Sequence, residues 1–323
     1  MSLGNPERPV GALAVRTPAG IELRPTGRDD LTVAVELARE GRGLGRLPSV
    51  DPIRDRYEAL VNHPDTAAFV ALADGHPTGL AVAHFRRRLN FATFEGWISE
   101  LYVTAAGSQR GVDRSLVEAV AAEWRLRRGH RLLAAVEHGD EAGPLEAAGF
   151  EEAFLNFRLA PVRAEPKARV PPGLRIRSLG PQDAERVTRL IAEFGPRRSP
   201  VPERMDAVLR TFADHVREVE KGTAASRVAE MGGEVIGVCT THWQLPFWTP
   251  EIHAWVADLV VTEPMRGRGV GRALMADALS LARGRGASRV DLESGAQRQA
   301  AHSLYRSMGF VDSGRTWVLS RDA

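Results

Sequence analysis

The chain has 323 residues, 43% hydrophobic and 26% charged, the balance of a globular protein long enough for two cores. Its 43 Lys+Arg nearly cancel 41 Asp+Glu to a net charge of +2, which argues against a nucleic-acid-binding surface. No run of eighteen apolar residues predicts a membrane span, and no basic-then-apolar start predicts a secretory signal, so a cytoplasmic location is expected.

Taken in order, residues 20–26 alternate like a short strand, 31–40 and 51–62 have helical periods, and 41–48 form a glycine-rich loop between them. Residues 66–73, 79–85 and 94–103 read as successive strands. Residues 115–126 read as a helix, 132–137 as a strand and 144–148 as a short helix ending at Gly149-Phe150. This order suits an α/β fold with a mixed sheet. All but two of the basic residues are arginine, and the clusters Arg86-Arg87-Arg88 and 125–131 are expected to be solvated faces. The proline-rich stretch 161–172 reads as a linker.

Beyond the linker the pattern repeats. Gly173-Leu174-Arg175-Ile176-Arg177 echoes Gly20-Ile21-Glu22-Leu23-Arg24, Asp258-Leu259-Val260-Val261-Thr262 echoes Glu100-Leu101-Tyr102-Val103-Thr104, and Gly309-Phe310 echoes Gly149-Phe150. Offsets this even predict a duplicated unit. The expected organisation is an extension at 1–19, one unit at 20–160, the linker, and a second unit at 173–323.

The second unit carries a strand, Trp255 through Val261, then a break at Pro264, then Arg266-Gly267-Arg268-Gly269-Val270-Gly271-Arg272 opening a helix. A helix start has amides without internal partners and a dipole that favours anions, and glycines let a ligand approach the backbone. A phosphate or pyrophosphate is therefore expected here. A Walker loop would need Gly-Lys-Ser/Thr, and a dinucleotide fingerprint would put its third glycine at Arg272, where bulk defeats close packing.

Arg266-x-x-Gly269-x-Gly271 after a Val-Thr strand end resembles motif A of the GCN5-related N-acetyltransferases (GNAT), and Leu304-Tyr305-Arg306-Ser307-Met308-Gly309-Phe310 is similar to the family's LYxxxGF element. The resemblance covers nearly the whole chain as two copies. It implies two tandem acetyltransferase-type domains, each a mixed, mostly antiparallel sheet flanked by helices. It also implies acetyl-CoA as co-substrate, held by the Arg266–Arg272 loop, with Leu259, Val260 and Val261 at the thioester. Tyr305 takes the family's place for protonating the leaving thiolate. In motif B the family's asparagine is replaced by Arg298. The loop Glu193 to Pro200 falls where members contact their acceptors.

The first copy has Ser108, Gln109 and Asp113 where the second has Arg266, Gly267 and Gly271, and Glu146 is taken as the counterpart of Tyr305. A carboxylate where phosphate oxygens should lie predicts a degenerate, structural or substrate-shaping copy. Asp258 interrupts an apolar strand just before the thioester segment and is the candidate base, although Glu100 in the degenerate copy also fits a structural carboxylate. His253 and Glu251 are fallbacks acting through water, and His302 is expected to face outward. His242, Trp243, Phe247 and Trp248 suit either an acceptor wall or core packing. Cys239 reads as a small core residue, and no metal is expected because the histidines lack ligand spacing. The expected function is N-acetyl transfer to a small-molecule amine by a monomer or homodimer without nucleic-acid or membrane partners. A non-catalytic acyl-CoA sensor or partner-binding module is the alternative.

Overall fold

The structure, a computed structural model, describes residues 15–17, 20–43, 51–89, 91, 93–162, 170–192 and 205–321. The expected acceptor loop at 193–200 lies outside them, as do most of the expected N-terminal extension and of the linker. The first half runs β1 (Val15–Arg16), β2 (Ile21–Pro25), α1 (Leu31–Gly41), α2 (Asp51–Asn62), β3 (Thr66–Ala73), β4 (His76–Arg86), β5 (Glu95–Val103), α3 (Ala105–Ser108), α4 (Val112–Leu126), β6 (Arg131–Glu137), α5 (Gly143–Ala147) and β7 (Glu151–Leu159). The second half follows the same course. It runs β8 (Leu174–Ser178), α6 (Ala184–Ala192), α7 (Met205–Glu220), β9 (Ala224–Met231), β10 (Glu234–Gln244), β11 (Ile252–Val261), α8 (Val270–Gly284), β12 (Ala287–Ser294), α9 (Gln299–Ser307) and β13 (Val311–Ser320).

The repeated opening has a physical basis. Arg24 makes a two-pronged pair with buried Asp30 at 2.8 and 2.7 Å, and Arg177 does the same with Asp183 at 2.8 Å on both prongs. Each carboxylate also accepts the amide of a glycine three residues earlier, Gly27 or Gly180, which ties the strand end to the helix start.

All strands join one sheet in the order β1-β2-β3-β4-β5-β6-β13-β7-β12-β11-β10-β9-β8. Only β5–β6 and β11–β12 are parallel, so the sheet is mixed and mostly antiparallel as expected. The order shows what sequence did not: the halves exchange their last strands. β13 pairs with β6 of the first half, and β7 pairs with β12 of the second. Phe157 of β7 is fully buried in the second-half core beside Leu274, Leu292 and Phe310, while Trp317 and Leu319 of β13 pack on the first-half core.

A second exchange uses the β4–β5 and β10–β11 connections. Leu89 is buried among Leu190, Ile191, Phe212 and Val216 on the second-half helices α6 and α7. Reciprocally, Phe247 is buried among Tyr57, Leu60 and Val61 on α2, with its ring 5.6 Å from that of Tyr57.

Between the halves the Arg86 guanidinium lies 3.3 Å from the ring centre of Trp255 and 5.1 Å from that of Trp97. Arg86, Arg88 and Arg131 all converge on Glu95, which has no exposed side-chain surface. The basic clusters are therefore not simply solvated faces. Arg125 and Arg128 are exposed, but Arg88 is buried and Arg86 and Arg131 are mostly covered, because the fully buried Glu95 requires counter-charge. Arg87 is half-exposed and pairs with Asp214 at 2.6 Å.

Candidate active site

In both halves a bulge opens the sheet. Opposite β10, Thr240 pairs with Asp258 and Thr241 with Val256, leaving Ala257 extra; opposite β4, Val82 pairs with Glu100 and Ala83 with Ile98, leaving Ser99 extra. Beyond the bulge the parallel ladder ends. β11 pairs with β12 only as far as Val256–Leu292, so Asp258, Leu259, Val260 and Val261 run along an edge without a β12 partner. The expected thioester segment is thus the open side of a cleft.

The glycine loop leads from the end of that edge. Arg266 donates from Nε to the Val261 carbonyl at 3.0 Å, folding the loop back on the strand. Gly267 (φ 73°) and Gly269 (φ 86°) adopt left-handed backbone that other residues reach only with strain. Gly269 caps α8, and Ala273 is the first amide bonded back to it, at 3.0 Å. The amides of Val270, Gly271 and Arg272 therefore lack helical partners at the positive end of a 15-residue helix. A Cβ on Gly271 would make only ordinary contacts, with Leu304 at 3.6 Å and Val261 at 3.7 Å. With Arg266, Arg268 and Arg272 on the loop, this donor set suits the pyrophosphate of a coenzyme A.

Asp258 and Tyr305 both line the inner end of the cleft, together with Val260, Ser294 and Arg298, around a space of about 40 Å³. Asp258 is buried. Its Oδ1 accepts from Arg88 Nη2 at 2.7 Å and its Oδ2 from the Thr240 hydroxyl at 2.9 Å. Tyr305 is buried between Phe157 and Phe310, with ring centres 5.5 and 6.1 Å away, and burial pushes its phenol up to about 12. It is therefore protonated at neutral pH, as a proton donor must be. Arg298, at the start of α9, is held below its ordinary pKa by burial, while Tyr305 and Asp258 oppose that shift.

The first half has the same loop in blocked form. Gly111 (φ 75°) caps α4, but Asp113 stands where Gly271 stands. Its Oδ2 accepts from the Ser108 hydroxyl at 2.8 Å and its Oδ1 from the Arg114 amide at 2.7 Å, so the anion position is filled by the chain's own carboxylate. The counterpart of Tyr305 is Leu145 rather than Glu146. Phe310 and Phe150 donate their amides to the carbonyls of Tyr305 and Leu145 respectively, and Glu146 points to solvent. The offset between the halves is 158 at the Val-Thr strand ends and 160 at the Gly-Phe turns, and counting back from the turns gives Leu145. Glu100 is covered by Trp248 of the other half, whose Nε1 donates to Oε1 at 3.0 Å, while Arg42 and Tyr102 of its own half donate to Oε2. A larger cavity, about 550 Å³, opens beside Glu100, Arg42, Arg158 and Arg289. Residues of both halves line it, Asp291 and Glu293 of β12 among them, and none of them belongs to the Arg266–Arg272 loop.

Other expected residues lie elsewhere. His253 is buried near the start of β11, its pKa pushed down to about 3 by burial and then by Arg289, and the exposed Glu251 lies 3.8 Å from it. Neither lines the cleft. His302 does not face outward: it is 1% exposed, with its ring 5.1 Å from Phe157, because exchanged strand β7 covers that face of α9. Phe247 and Trp248 serve the inter-half contact, and His242 packs between His215 and Trp255. Cys239 is buried in the core, where burial raises its thiol pKa. Among the described residues no group of three or more His, Cys, Asp or Glu could hold a metal, and no helix is long and apolar enough to cross a membrane. Arg88 is the site residue that sequence missed. Its signal was the pairing of an acid inside the apolar strand Glu95–Val103 with a basic run just before it.

Residues 186–310 match the acetyltransferase (GNAT) family model. A mycothiol acetyltransferase from Clavibacter michiganensis is 28% identical over 293 residues, spanning 82% of this chain and 83% of that protein. An aminoalkylphosphonate N-acetyltransferase from Salmonella typhimurium is 34% identical over 87 residues, 27% of this chain and 56% of that enzyme. Among solved structures, a tandem GNAT protein from the clavulanic acid biosynthesis pathway aligns with TM-score 0.61 at 16% identity, covering 94% of this chain and 99% of that one. A GCN5-related N-acetyltransferase from Sphaerobacter thermophilus aligns with TM-score 0.59 at 19% identity, covering 94% and 95%; these two share the fold. Residues 186–310 thus carry a GNAT-family domain, and the acetyltransferase relatives support reading the chain as a member of the GCN5-related N-acetyltransferase superfamily.

Proposed function

We propose that the chain transfers the acetyl group of acetyl-CoA to a primary amine of a small molecule within a ternary complex, with the reacting groups in residues 173–323. One observation carries this reading: a single cleft holds an unpaired strand edge, a buried carboxylate and a buried protonated phenol, next to a glycine loop built for pyrophosphate. Acetyl-CoA supplies the activated thioester. The amides of Val270, Gly271 and Arg272 bind its pyrophosphate, and the open edge at Leu259, Val260 and Val261 offers backbone N–H groups to the carbonyl oxygen as charge develops there. Asp258, oriented by Arg88 and Thr240, takes the amine's proton directly or through a water. The amine nitrogen bonds to the carbonyl carbon, the carbon–sulfur bond breaks, and Tyr305 protonates the departing thiolate.

Deprotonation matters in proportion to the acceptor. An amine with pKa near 10.4 lies about 3.4 units above neutrality, a cost of roughly 4.6 kcal/mol, whereas an α-amino group near 7.8 costs about 1 kcal/mol. A mycothiol acetyltransferase and an aminoalkylphosphonate N-acetyltransferase among the relatives support a small acceptor. The test is thiol release from acetyl-CoA across a panel of antibiotic, polyamine, amino-sugar and aminoalkyl amines, with product masses. Release with one amine class and a mass gain of one acetyl group is expected. Tight acetyl-CoA binding without release for any amine would overturn catalysis and leave a non-catalytic acyl-CoA sensor.

A further inference from the structure

The second half's cleft is completed by a side chain from the first. Arg88 lies in the β4–β5 connection, 170 residues from Asp258, yet its Nη2 reaches Asp258 Oδ1 at 2.7 Å and the Ala257 carbonyl at 2.9 Å. Ala257 is the bulge residue, so one guanidinium nitrogen holds both the carboxylate and the backbone irregularity that opens the cleft. Its other nitrogen, Nη1, is 3.2 Å from both oxygens of Glu95. The side chain is 3% exposed, and Leu89 beside it is locked into the core on α6 and α7. An exposed arginine pair is worth little because water competes and side-chain entropy is lost. Here water is excluded, the arginine is gripped from behind, and the next residue is anchored.

We propose that Arg88 is a positioning residue for the second half's active site, fixing the Asp258 carboxylate and the Ala257 bulge so that the acceptor amine meets the carboxylate in one geometry. This rests on the reading of Asp258 given above. It assigns the degenerate half a direct part in the reaction: it lends the cation that the second half does not carry at this place. Pro246 stands at the Arg88 position of the β10–β11 connection, and there Trp248 covers Glu100 instead.

The test is a double-mutant cycle in the full chain. Arg88→Gln keeps most of the side-chain volume but removes the charge. Turnover should fall about 10- to 100-fold, as when a group orienting a reacting residue is removed, while acetyl-CoA affinity stays within about twofold because the Arg266–Arg272 loop is untouched. Arg88→Lys, which keeps a cation but not the fork, should recover part of the loss. In an Asp258→Asn background, Arg88→Gln should cost less than about threefold, since an arginine acting through Asp258 has nothing left to position. Arg88→Gln leaves Glu95 with Arg86 and Arg131 but takes the cation from Asp258, so Arg88→Gln/Asp258→Asn, which removes both charges of that pair, should keep an ordinary thermal stability. Full turnover in Arg88→Gln, or losses that simply multiply with Asp258→Asn, would overturn the positioning role. Near-normal turnover in Asp258→Asn alone would instead remove the Asp258 reading on which it rests.

Discussion

The two glycine loops differ at one decisive position, which makes a transplant the sharpest test of the coenzyme site. Gly271→Asp writes Asp113 of the first half into the second. Its Cβ would make only ordinary contacts, 3.6 Å to Leu304 and 3.7 Å to Val261, and Gly271 has no left-handed backbone to strain. An aspartate in the first turn of α8 in place of glycine should stabilise the helix by roughly 0.5–1 kcal/mol through backbone entropy and the dipole. The fold should therefore be kept or strengthened. The carboxylate would then take the Arg272 amide, as Asp113 takes that of Arg114 at 2.7 Å, removing a charged hydrogen bond worth about 1.5–3 kcal/mol from the pyrophosphate. Repulsion between like charges about 5 Å apart adds roughly 1–3 kcal/mol for effective dielectrics between bulk water and a protein surface. Together these predict about 10²- to 10⁴-fold weaker acetyl-CoA binding. Titration calorimetry of the parent chain should find one acetyl-CoA per chain, the variant should lose it, and its melting temperature should not fall. A dissociation constant within threefold of the parent, or two equal sites in the parent, would refute the argument that Asp113 closes one loop and Gly271 keeps the other open.

Tyr305→Phe removes a proton donor needed mainly as the thiolate leaves, so turnover should drop about 10²- to 10⁴-fold with acetyl-CoA affinity unchanged; near-normal turnover would end the general-acid role. Asp258→Asn should lose most rate at neutral pH and regain much of it as the pH approaches the amine's own pKa, whereas a pH-independent loss would make the carboxylate structural. His253 has its folded pKa depressed to about 3 from 6.5, so its contribution to stability is complete above about pH 6.5 and is lost as the pH falls toward 3. At pH 5 that is about 2 kcal/mol for this histidine, and denaturant unfolding of His253→Asn should lose correspondingly less stability between pH 7 and 5 than the parent does. Phe157→Ala should cost about 3–5 kcal/mol in global stability because its fully buried ring fills the second-half core; a cost under 1 kcal/mol would show that β7 is dispensable there.

What the sequence made legible was local. The strand–loop–helix at Trp255 to Ala276 and the Tyr305 helix announce themselves through glycine spacing, hydrophobic period and resemblance, and the loss of Gly271 at Asp113 is visible by simple offset. Its consequence in the structure is a self-filled anion position. Contacts between distant segments were not legible. Arg86 and Arg88 resemble a solvated run because a basic triplet carries no mark of the Glu95 and Asp258 that wait elsewhere. His302 was assigned to the wrong face for a related reason: α9 is covered by a strand from the other half, which no helical period can report. Glu146 missed Leu145 by one residue because the offset between the halves changes from 158 at Val-Thr to 160 at Gly-Phe, and Glu146 falls between the two.

These non-local contacts also decide what the degenerate half is for. Had it been a mere appendage, its contacts with the active half would be peripheral to the cleft. Instead β7 forms the β12 neighbour on the side away from the cleft, Phe157 lies 5.5 Å from the Tyr305 ring, and Arg88 sits on Asp258. Each of the two proposed reacting side chains thus has a first-half residue packed or bonded against it. The dependence runs both ways, since β13 covers β6 and Trp248 bonds to Glu100. A half cut at the linker would expose an unpaired strand edge and an empty aromatic slot, both of which favour aggregation over a working monomer. On the proposed reading, a half whose phosphate loop is closed by its own carboxylate is still constrained by the strand, the ring and the guanidinium it lends to the neighbouring half.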